Sequence, residues 1–403
     1  MEQVPAEVAR VTAGSGFSGA IRVETGDGTG WSAAFGLASR RFGVANSPDT
    51  LFGIASGTKG LTALTVMSLV EEGALSLSRT ARSVLGADLP LVGDGVTVEH
   101  LLTHRSGIGD YFGEDAGFGA EDYVLPVPVH RLGSTEAYLE VLQGHPAVFV
   151  PDERFVYCNS GYVVLALIAE RVAGRPFADL VHQRVCRRAG MTATGFARGD
   201  APPKGSAEGY VLVDGHWRTN VLHLPVLGSG DGGMYATTAD FTAFWTALFA
   251  GRIVSEPTVA AMVEPRSEVP SERRRYGMGF WLHRTSQVVM LEGLDAGISF
   301  RSVHDPVSRR TLTTISNTTD GAWPVTAAVE KLYGLTEGQL HLRSVSSRPR
   351  QSAGGPSSWL ARSHRERPSP WGSTDRTLAK PGLGAARHHG HDRPRSRRTT
   401  AQR

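Results

Sequence analysis

Residues 55–73 read ASGTKGLTALTVMSLVEEG, and the architecture can be worked out from this stretch. Apolar and small residues recur at helical spacing from Thr58 to Glu72, which predicts a mostly buried helix that ends near Gly73. Ser56 and Lys59 stand three residues apart at the start of this helix. Since three residues nearly complete one helical turn, their side chains are expected on one face, a few ångströms apart.

The pair Ser56 and Lys59 is suited to nucleophilic catalysis. A serine hydroxyl is a weak nucleophile unless a neighbouring base removes its proton, and a helix N-terminus favours the negative charge that then develops. Burial lowers the pKa of a lysine toward neutrality, whereas an arginine cannot lose its proton. The chain has only four lysines among its 42 basic residues, so a lysine at this position is informative.

A second segment, residues 155–162, reads FVYCNSGY. Tyr157 and Asn159 alternate by two, so both side chains are expected on the same side of an extended loop that enters the next helix. A phenol near Lys59 would pass protons, and an amide would hold the lysine and a substrate carbonyl. The alternative is structural, with Tyr157 as a core aromatic and Asn159 as a helix N-cap.

A third segment, residues 291–300, reads LEGLDAGISF. Its small residues lead into a predicted strand, along whose edge a substrate would lie. The backbone N–H groups of Ser56 and Gly297 would then form an oxyanion hole. The alternative is an ordinary β-turn before the strand.

Strand patterns occur at both ends of the chain and helical patterns between them. Alternation predicts a hairpin and four later strands, at residues 17–23, 31–36, 277–282, 288–291, 297–302 and 310–315. Further helices are predicted at 160–172, 240–248 (with Thr237 and Thr238 supplying N-cap chemistry) and 323–332. We therefore predict an α/β (α+β) fold, with a mixed, mainly antiparallel sheet built from both chain ends, flanked by helices and joined to a helical subdomain.

The chain is predicted to hold one domain, residues 1–338, followed by a basic, low-complexity tail, residues 339–403. The net charge of the whole chain is +3, yet residues 341–403 carry 14 Lys plus Arg against 3 acidic residues. Such a composition does not bury enough apolar surface to offset its ordering entropy, so we expect the tail to be disordered. The alternative is a basic arm that touches nucleic acid or an anionic membrane, although no nucleic-acid partner is expected.

Several classes of protein are disfavoured by composition. The N-terminus lacks the basic start and apolar core of a signal peptide, and no apolar run approaches the roughly 20 residues of a membrane helix. The two cysteines, Cys158 and Cys186, form neither a disulfide framework nor a zinc pattern, so both are predicted to be free, buried thiols. No metal site and no cofactor are expected, and a cytoplasmic location is predicted.

The three segments together resemble the serine β-lactamase and penicillin-binding-protein superfamily, in which S-x-x-K is the first motif. The Y-x-N form of the second segment is similar to the branch of class C β-lactamases, esterases and D-alanyl-D-alanine carboxypeptidases. Two stretches between the motifs, residues 96–108 (VTVEHLLTHRSGI) and 228–240 (GSGDGGMYATTAD), also resemble this family. The resemblance covers about residues 12–335 and implies a β-lactamase/transpeptidase-like fold.

The resemblance also implies a role for each matching residue. These roles are Ser56 as nucleophile, Lys59 and Tyr157 as proton carriers, Asn159 as the residue that orients substrate and lysine, and Gly297 as the second oxyanion donor. The third motif departs from the family, which has Lys or His, then Thr or Ser, then Gly, because the aligned residues 294–296 read LDA. The cation that would bind a substrate carboxylate is therefore missing, which favours a neutral ester or amide.

The predicted function is hydrolysis of an ester or amide of a small molecule through a covalent acyl-enzyme, with acyl transfer as a variant. The alternatives are a β-lactamase or D-Ala-D-Ala peptidase, and, in another class, a non-catalytic ligand-binding protein that kept the fold. His223 and Asp295 are further candidates for substrate binding, whereas His104 is expected to be structural. The sequence does not specify an oligomeric state.

Overall fold

A computed structural model describes residues 3–112 and 121–335, in which the strands of the main sheet come from the two ends of this region and the three longest helices lie between them. The strands are β1 (Gly19–Glu24), β2 (Gly30–Phe35), β3 (Leu37–Ser39), β4 (Val44–Ala45), β5 (Phe52–Gly53), β6 (Gly195–Phe196), β7 (Tyr210–Val213), β8 (His216–Thr219), β9 (Met234–Ala236), β10 (Ser267–Val269), β11 (Arg274–Tyr276), β12 (Trp281–His283), β13 (Val289–Asp295), β14 (Ile298–Asp305) and β15 (Arg310–Ser316). The helices are α1 (Ala6–Ser15), α2 (Thr58–Glu71), α3 (Arg82–Leu85), α4 (Val98–Leu102), α5 (Leu139–Leu142), α6 (Asn159–Ala173), α7 (Phe177–Val181), α8 (Arg187–Ala189), α9 (Thr238–Phe249), α10 (Glu256–Met262) and α11 (Ala322–Leu332).

The main sheet has eight strands in the order β10-β11-β12-β13-β14-β15-β1-β2, and every pair in it is antiparallel. The N-terminal strand β1 lies between its hairpin partner β2 and the C-terminal strand β15, with Val23 opposite both Trp31 and Leu312. The predicted sheet built from both chain ends is therefore confirmed, and it is antiparallel throughout.

Two apolar layers cover the two faces of this sheet. On one face, alternate residues such as Ala20, Leu291 and Phe300 join the core formed by α2, α6 and α9. On the other face, residues such as Ile21 and Met290 pack under α1 and α11. This alternation is the two-residue period of a strand buried on both sides, and it gives a helix–sheet–helix sandwich.

Helix α2 lies in the interior because its sequence is apolar or small on every side. Twelve of its fourteen residues are buried, as expected of a helix without a polar face. Two glycines bring its start against the sheet: a Cβ on Gly57 would lie 2.4 Å from Phe300, and one on Gly60 would lie 2.5 Å from Leu291. The N-terminus of α2 is thereby pressed against β13 and β14.

The predicted helices were close to the observed ones. Helix α2 ends one residue before the predicted limit, with Gly73 in the left-handed region at φ +73° just beyond its cap, and α6 ends at the left-handed Gly174. The Thr237 hydroxyl accepts the Asp240 N–H at the start of α9, as predicted for an N-cap.

The predicted strand at residues 277–282 was wrong in its position along the chain. Tyr276 ends β11 and Trp281 begins β12, so residues 277–280 form the turn between them. Gly279 has φ +87°, and a Cβ on it would lie 2.3 Å from Ala63. The glycines of this segment therefore mark a turn pressed against α2, whereas the sequence pattern placed a strand there.

The other predictions for the fold have mixed outcomes. Cys158 and Cys186 are free and buried, which confirms the expectation. No helix within residues 3–112 and 121–335 is long and apolar enough to cross a membrane. The predicted tail, residues 339–403, lies outside the described residues, so its boundary stays a prediction.

Glu292, in the middle of β13, ties this strand to other elements through partly buried charges. Its carboxylate accepts from Arg274 Nη1 on β11 at 3.2 Å and from Arg301 Nε on β14 at 2.5 Å. Arg301 in turn donates from Nη1 to Glu330 on α11 at 3.2 Å. Burial raises the pKa of Glu292, but the two arginines outweigh burial and hold it at about 2.

We expect this network to make the protein acid-sensitive. Because the folded-state pKa of Glu292 lies below its unfolded value, the stabilisation is present above the unfolded pKa and is lost as Glu292 is protonated between about pH 4.5 and 2. The shift corresponds to roughly 3 kcal/mol of free energy of unfolding. Denaturant titrations at several pH values measure it.

Glu292→Gln should be less stable at neutral pH and should lose this part of the acid dependence. Glu268→Gln, at an exposed position of β10, is the matched control and should keep it. An unchanged acid dependence in Glu292→Gln would contradict the assignment.

Candidate active site

Ser56 and Lys59 meet at the start of α2, as the spacing predicted. A 3₁₀ turn, Ala55–Gly57, leads into the helix, and Ala55 lies in the left-handed region at φ +45°. Such a backbone is strained for a residue with a side chain and is common at functional sites. Lys59 is 2% exposed, and its Nζ lies 2.9 Å from Ser56 Oγ.

Two further oxygens hold the buried Lys59 amine. Its Nζ donates to Asn159 Oδ1 at 2.7 Å and to the Asp231 carbonyl at 2.8 Å. With Ser56 Oγ these acceptors match the three N–H donors of an ammonium group. If the amine is neutral, two N–H groups still bind Asn159 and Asp231, and its lone pair is directed at the Ser56 hydroxyl. The arrangement can therefore move a proton between serine and lysine.

Tyr157 lies over the same amine. Lys59 Nζ is 4.8 Å from the centroid of the Tyr157 ring. The ring stacks on Trp281 with centroids 5.9 Å apart and planes 11° apart, and it lies against His104 at 4.3 Å. Tyr157 is thus a rigidly packed aromatic beside Lys59, and both interpretations of the sequence apply to its ring.

Asn159 is the first residue of α6, and the N-cap is Cys158. The predicted alternative of Asn159 as an N-cap is therefore not what the structure has. Asp110, which sequence reasoning missed, takes over the capping: its carboxylate accepts from the N–H groups of Asn159 and Ser160 at 3.1 and 2.7 Å. It also accepts from Asn159 Nδ2 at 3.3 Å, which turns Oδ1 toward Lys59.

Asp231 is the second residue that was missed, although it lies in the glycine-rich stretch that carried the family resemblance. Its carbonyl accepts from Lys59, while its buried carboxylate accepts from the Tyr111 hydroxyl at 2.6 Å. Burial raises the pKa of this carboxyl. A Cβ on the adjacent Gly230 would lie 2.1 Å from the Tyr162 carbonyl, so this approach requires glycine.

A cleft of about 940 Å³, including its mouth, lies above Ser56. Predicted site residues in its wall are Asn159, His223 and Asp295, and aromatic ones are Tyr111, Phe112, Tyr138 and Tyr235. Asp231 and Asp295 are among the residues of the wall, while none of its described residues is an arginine or a lysine. The cleft is therefore apolar and aromatic, with acidic rather than basic charge.

The expectation that Gly297 supplies an oxyanion donor was wrong. The Gly297 N–H donates to Thr319 Oγ1 at 2.9 Å, so it is occupied within the protein. Asp295 pairs with Ile298, which makes Ala296 and Gly297 the turn between β13 and β14. Gly297 has φ +73°, a conformation that favours glycine in such a turn. The alternative of a β-turn was correct.

Gly293, four residues earlier, is the glycine that lies beside Ser56. A Cβ on it would lie 2.8 Å from the Ser56 nitrogen and 2.9 Å from the Gly57 nitrogen. The segment beside Ser56 is therefore residues 291–293, and the match of residues 294–296 to the third motif was wrong. The sequence itself favours this alignment, because the third motif of the family ends in glycine, as residues 291–293 do and residues 294–296 do not.

The alternation of backbone groups along β13 shows to which edge of the strand the N–H of Leu294, the residue after Gly293, is directed. The His283 N–H donates to the Val288 carbonyl at 2.9 Å across the β12–β13 pair. The N–H and C=O of one residue point to the same edge of a strand, and successive residues alternate between the two edges. Leu294 is six residues after Val288, so its N–H also points to the β12 side. The β12 ladder ends at Met290, so Leu294 lies beyond it. The cation is still missing, because Leu291 opens the realigned motif.

Comparisons with known proteins identify the family of this chain. A family model described as Beta-lactamase matches residues 6–332. Penicillin-binding protein 4* of Bacillus subtilis (strain 168) is 28% identical over 320 residues, covering 75% of this chain and 68% of that protein. Esterase EstB of Burkholderia gladioli is 30% identical over 283 residues, covering 61% of this chain and 69% of the esterase.

A solved structure is also similar over most of the described region. The penicillin-binding protein from Bacillus halodurans superposes with a TM-score of 0.76 and 34% identity, covering 81% of this chain and 99% of that one. The fold and site define a serine hydrolase with the helix–sheet–helix architecture of these relatives. The chain belongs to the β-lactamase family.

Asp110→Ala should weaken both the helix and the site. The variant loses the acceptor for two N–H groups at the start of α6, which we expect to cost about 1–3 kcal/mol of free energy of unfolding. It should also slow acylation of Ser56, because Asn159 is no longer fixed. Thermal unfolding and the labelling rate with a fluorophosphonate measure the two effects. Asp110→Asn keeps an acceptor and should lose less; equal losses in both variants would contradict the assigned role.

Proposed function

We propose that this protein hydrolyses an ester or amide of a small molecule, with Ser56 as nucleophile and Lys59 as the base that activates it. The observation that carries the proposal is the 2.9 Å contact between Lys59 Nζ and Ser56 Oγ, in a site where Asn159 and Asp231 hold the same amine. Water is the usual acceptor, and transfer of the acyl group to another hydroxyl or amine uses the same intermediate.

The proposed reaction has two balanced halves. Neutral Lys59 takes the proton of the Ser56 hydroxyl while Oγ attacks the substrate carbonyl carbon, and the N–H groups of Ser56 and Leu294 bind the oxyanion that forms. The leaving group departs with a proton relayed from Lys59 through Tyr157, which leaves the acyl-Ser56 ester. Water then attacks this ester and loses its proton along the same route, which releases the acid and restores Ser56.

The charges of the cleft support a substrate without a carboxylate beside the scissile bond. Asp231 and Asp295 lie in the wall, and the third motif opens with Leu291 where the family has a cation. At an effective dielectric constant of about 20, two like charges some 4 Å apart repel by roughly 4 kcal/mol. We therefore favour an esterase or amidase activity over a β-lactamase or D-Ala-D-Ala peptidase activity. The presence of Ser56, Lys59, Tyr157 and Asn159 together argues against a non-catalytic binding protein. A cytoplasmic location stays a prediction.

Covalent labelling tests the nucleophile without knowledge of the substrate. We expect one fluorophosphonate adduct on the wild-type protein by intact mass, at Ser56, because the Lys59 amine lies 2.9 Å from its hydroxyl at the foot of the cleft. Ser56→Ala should show no adduct, and Lys59→Ala should label at least about 100-fold more slowly, the usual contribution of a general base.

Ser106→Ala is the matched control, since Ser106 is a buried serine of the 96–108 stretch; it should label like the wild type. An adduct that persists in Ser56→Ala would overturn the proposed nucleophile. If neither a fluorophosphonate nor a β-lactam nor an activated ester acylates the wild type, the binding-protein alternative becomes the better one.

A matched pair of esters tests the charge of the substrate. p-Nitrophenyl butyrate and the p-nitrophenyl monoester of succinate have acyl chains of equal length, and only the second has a carboxylate. We expect kcat/KM to be at least about tenfold lower for the succinate ester, a difference of roughly 1.4 kcal/mol, because the carboxylate meets acidic groups.

Asp295→Asn should narrow this difference, measured as the ratio of the two kcat/KM values. Added salt should narrow it as well, since it screens repulsion. Equal rates for the two esters, or rapid turnover of the carboxylate-bearing β-lactam nitrocefin, would contradict the inference from the missing cation.

A further inference from the structure

His104 holds the segment that carries Tyr157 from both sides. The His104 carbonyl accepts the Val156 N–H at 3.0 Å, and the His104 ring accepts the Cys158 N–H at Nδ1, also at 3.0 Å. These two N–H groups flank Tyr157 in the chain. One residue therefore fixes the backbone immediately before and after the proposed proton carrier.

The His104 ring also touches the Tyr157 ring directly. Their centroids are 4.3 Å apart with planes tilted by 32°, and the Tyr157 ring stacks on Trp281. With two rings packed against it, Tyr157 has little freedom to rotate away from the Lys59 amine, which lies 4.8 Å from its centroid. A shift of about 1 Å in a group that transfers protons can lower a rate about 100-fold, so this packing matters for the reaction.

The His104 ring is itself locked on its far side. Nε2 lies 3.1 Å from the Tyr276 hydroxyl, which lies 3.3 Å from the Tyr162 hydroxyl, and Tyr162 donates to the Leu102 carbonyl at 2.9 Å. Because Nδ1 accepts the Cys158 N–H, the ring proton must be on Nε2, where it is donated to Tyr276. The ring is 1% exposed, and burial, together with the charge of Lys59, lowers the pKa of His104 well below its usual range.

The backbone of His104 is adapted to this position. Its φ of +55° lies in the left-handed region, which is uncommon for residues other than glycine, although asparagine, aspartate and histidine adopt it more often than the rest. A strained conformation at a buried histidine persists only where surrounding contacts determine it, and such residues cluster at functional sites.

We propose that His104 is a positioning residue for Tyr157: it sets the distance and angle of the phenol relative to Lys59, and it acts on the reaction only through Tyr157. The inference rests on the proposed function of Tyr157 and adds a residue that was expected to be merely structural.

A double-mutant cycle with an ester substrate tests this coupling. His104→Ala should lower kcat by about 10- to 100-fold and change KM by less than about threefold, because the phenol is displaced and the cleft is not. His104→Asn should recover part of kcat, since asparagine tolerates the left-handed backbone and its Oδ1 occupies the place of Nδ1, while the ring contact with Tyr157 is lost. In a Tyr157→Phe background, His104→Ala should have no further effect on kcat.

Thermal unfolding and circular dichroism establish that each variant is folded at the assay temperature. If His104→Ala does not fold, His104→Gln, which lacks an acceptor at the Nδ1 place, replaces it beside His104→Asn. An equal loss of kcat in the wild-type and Tyr157→Phe backgrounds would overturn the positioning role. A Tyr157→Phe single variant with wild-type kcat would instead refute the proton role of Tyr157, so the two failures are distinguishable.

Discussion

The structure depends on one constraint, which is that the buried amine of Lys59 must be surrounded by oxygen. A lysine at 2% exposure in an apolar helix loses its hydration, and an amine left without partners in such a place costs several kcal/mol. The three acceptors come from three distant parts of the chain, at Ser56, Asn159 and Asp231. Satisfying Lys59 therefore requires the start of α2, the start of α6 and the glycine-rich stretch before β9 to converge on one point.

Each acceptor is in turn held by a further residue, so that the site has a supporting layer. Asp110 fixes the Asn159 amide and caps α6, and Tyr111, its neighbour in sequence, binds the Asp231 carboxylate. A single short segment thus orients two of the three acceptors. Such support keeps groups that exchange protons within a few tenths of an ångström of their working positions. The cost is a set of buried polar groups that are useful only when all of them are paired.

Sequence reasoning predicted the parts of the molecule whose determinants are local. The helices α2, α6 and α9 are specified by apolar spacing and by caps such as Gly174 and Thr237, which act within a few residues. It failed where glycine has two interpretations: residues 277–280 form a turn, and Gly297 closes a hairpin while Gly293 lies beside Ser56. Sequence reasoning did not identify Asp110, because the N–H groups that hydrogen-bond to this carboxylate lie 49 and 50 residues away in the chain. No periodicity reports a contact of that separation.

The proposed activation of Ser56 and the proposed recognition of the substrate use different parts of this structure, and so they can diverge separately. Ser56, Lys59 and Asn159 are locked into the core by one another, so a change at any of them leaves a buried group unpaired. The β13 edge is less constrained, because an oxyanion donor there is a backbone N–H that any residue except proline supplies. Leu291 is an example of such a change. Its buried side chain packs on Gly60 as part of the hydrophobic core, at a motif position where the family has a cation. A family that keeps its acylating centre can therefore exchange the charge of its cleft at little cost in stability, and the acidic wall of Asp231 and Asp295 fits such an exchange.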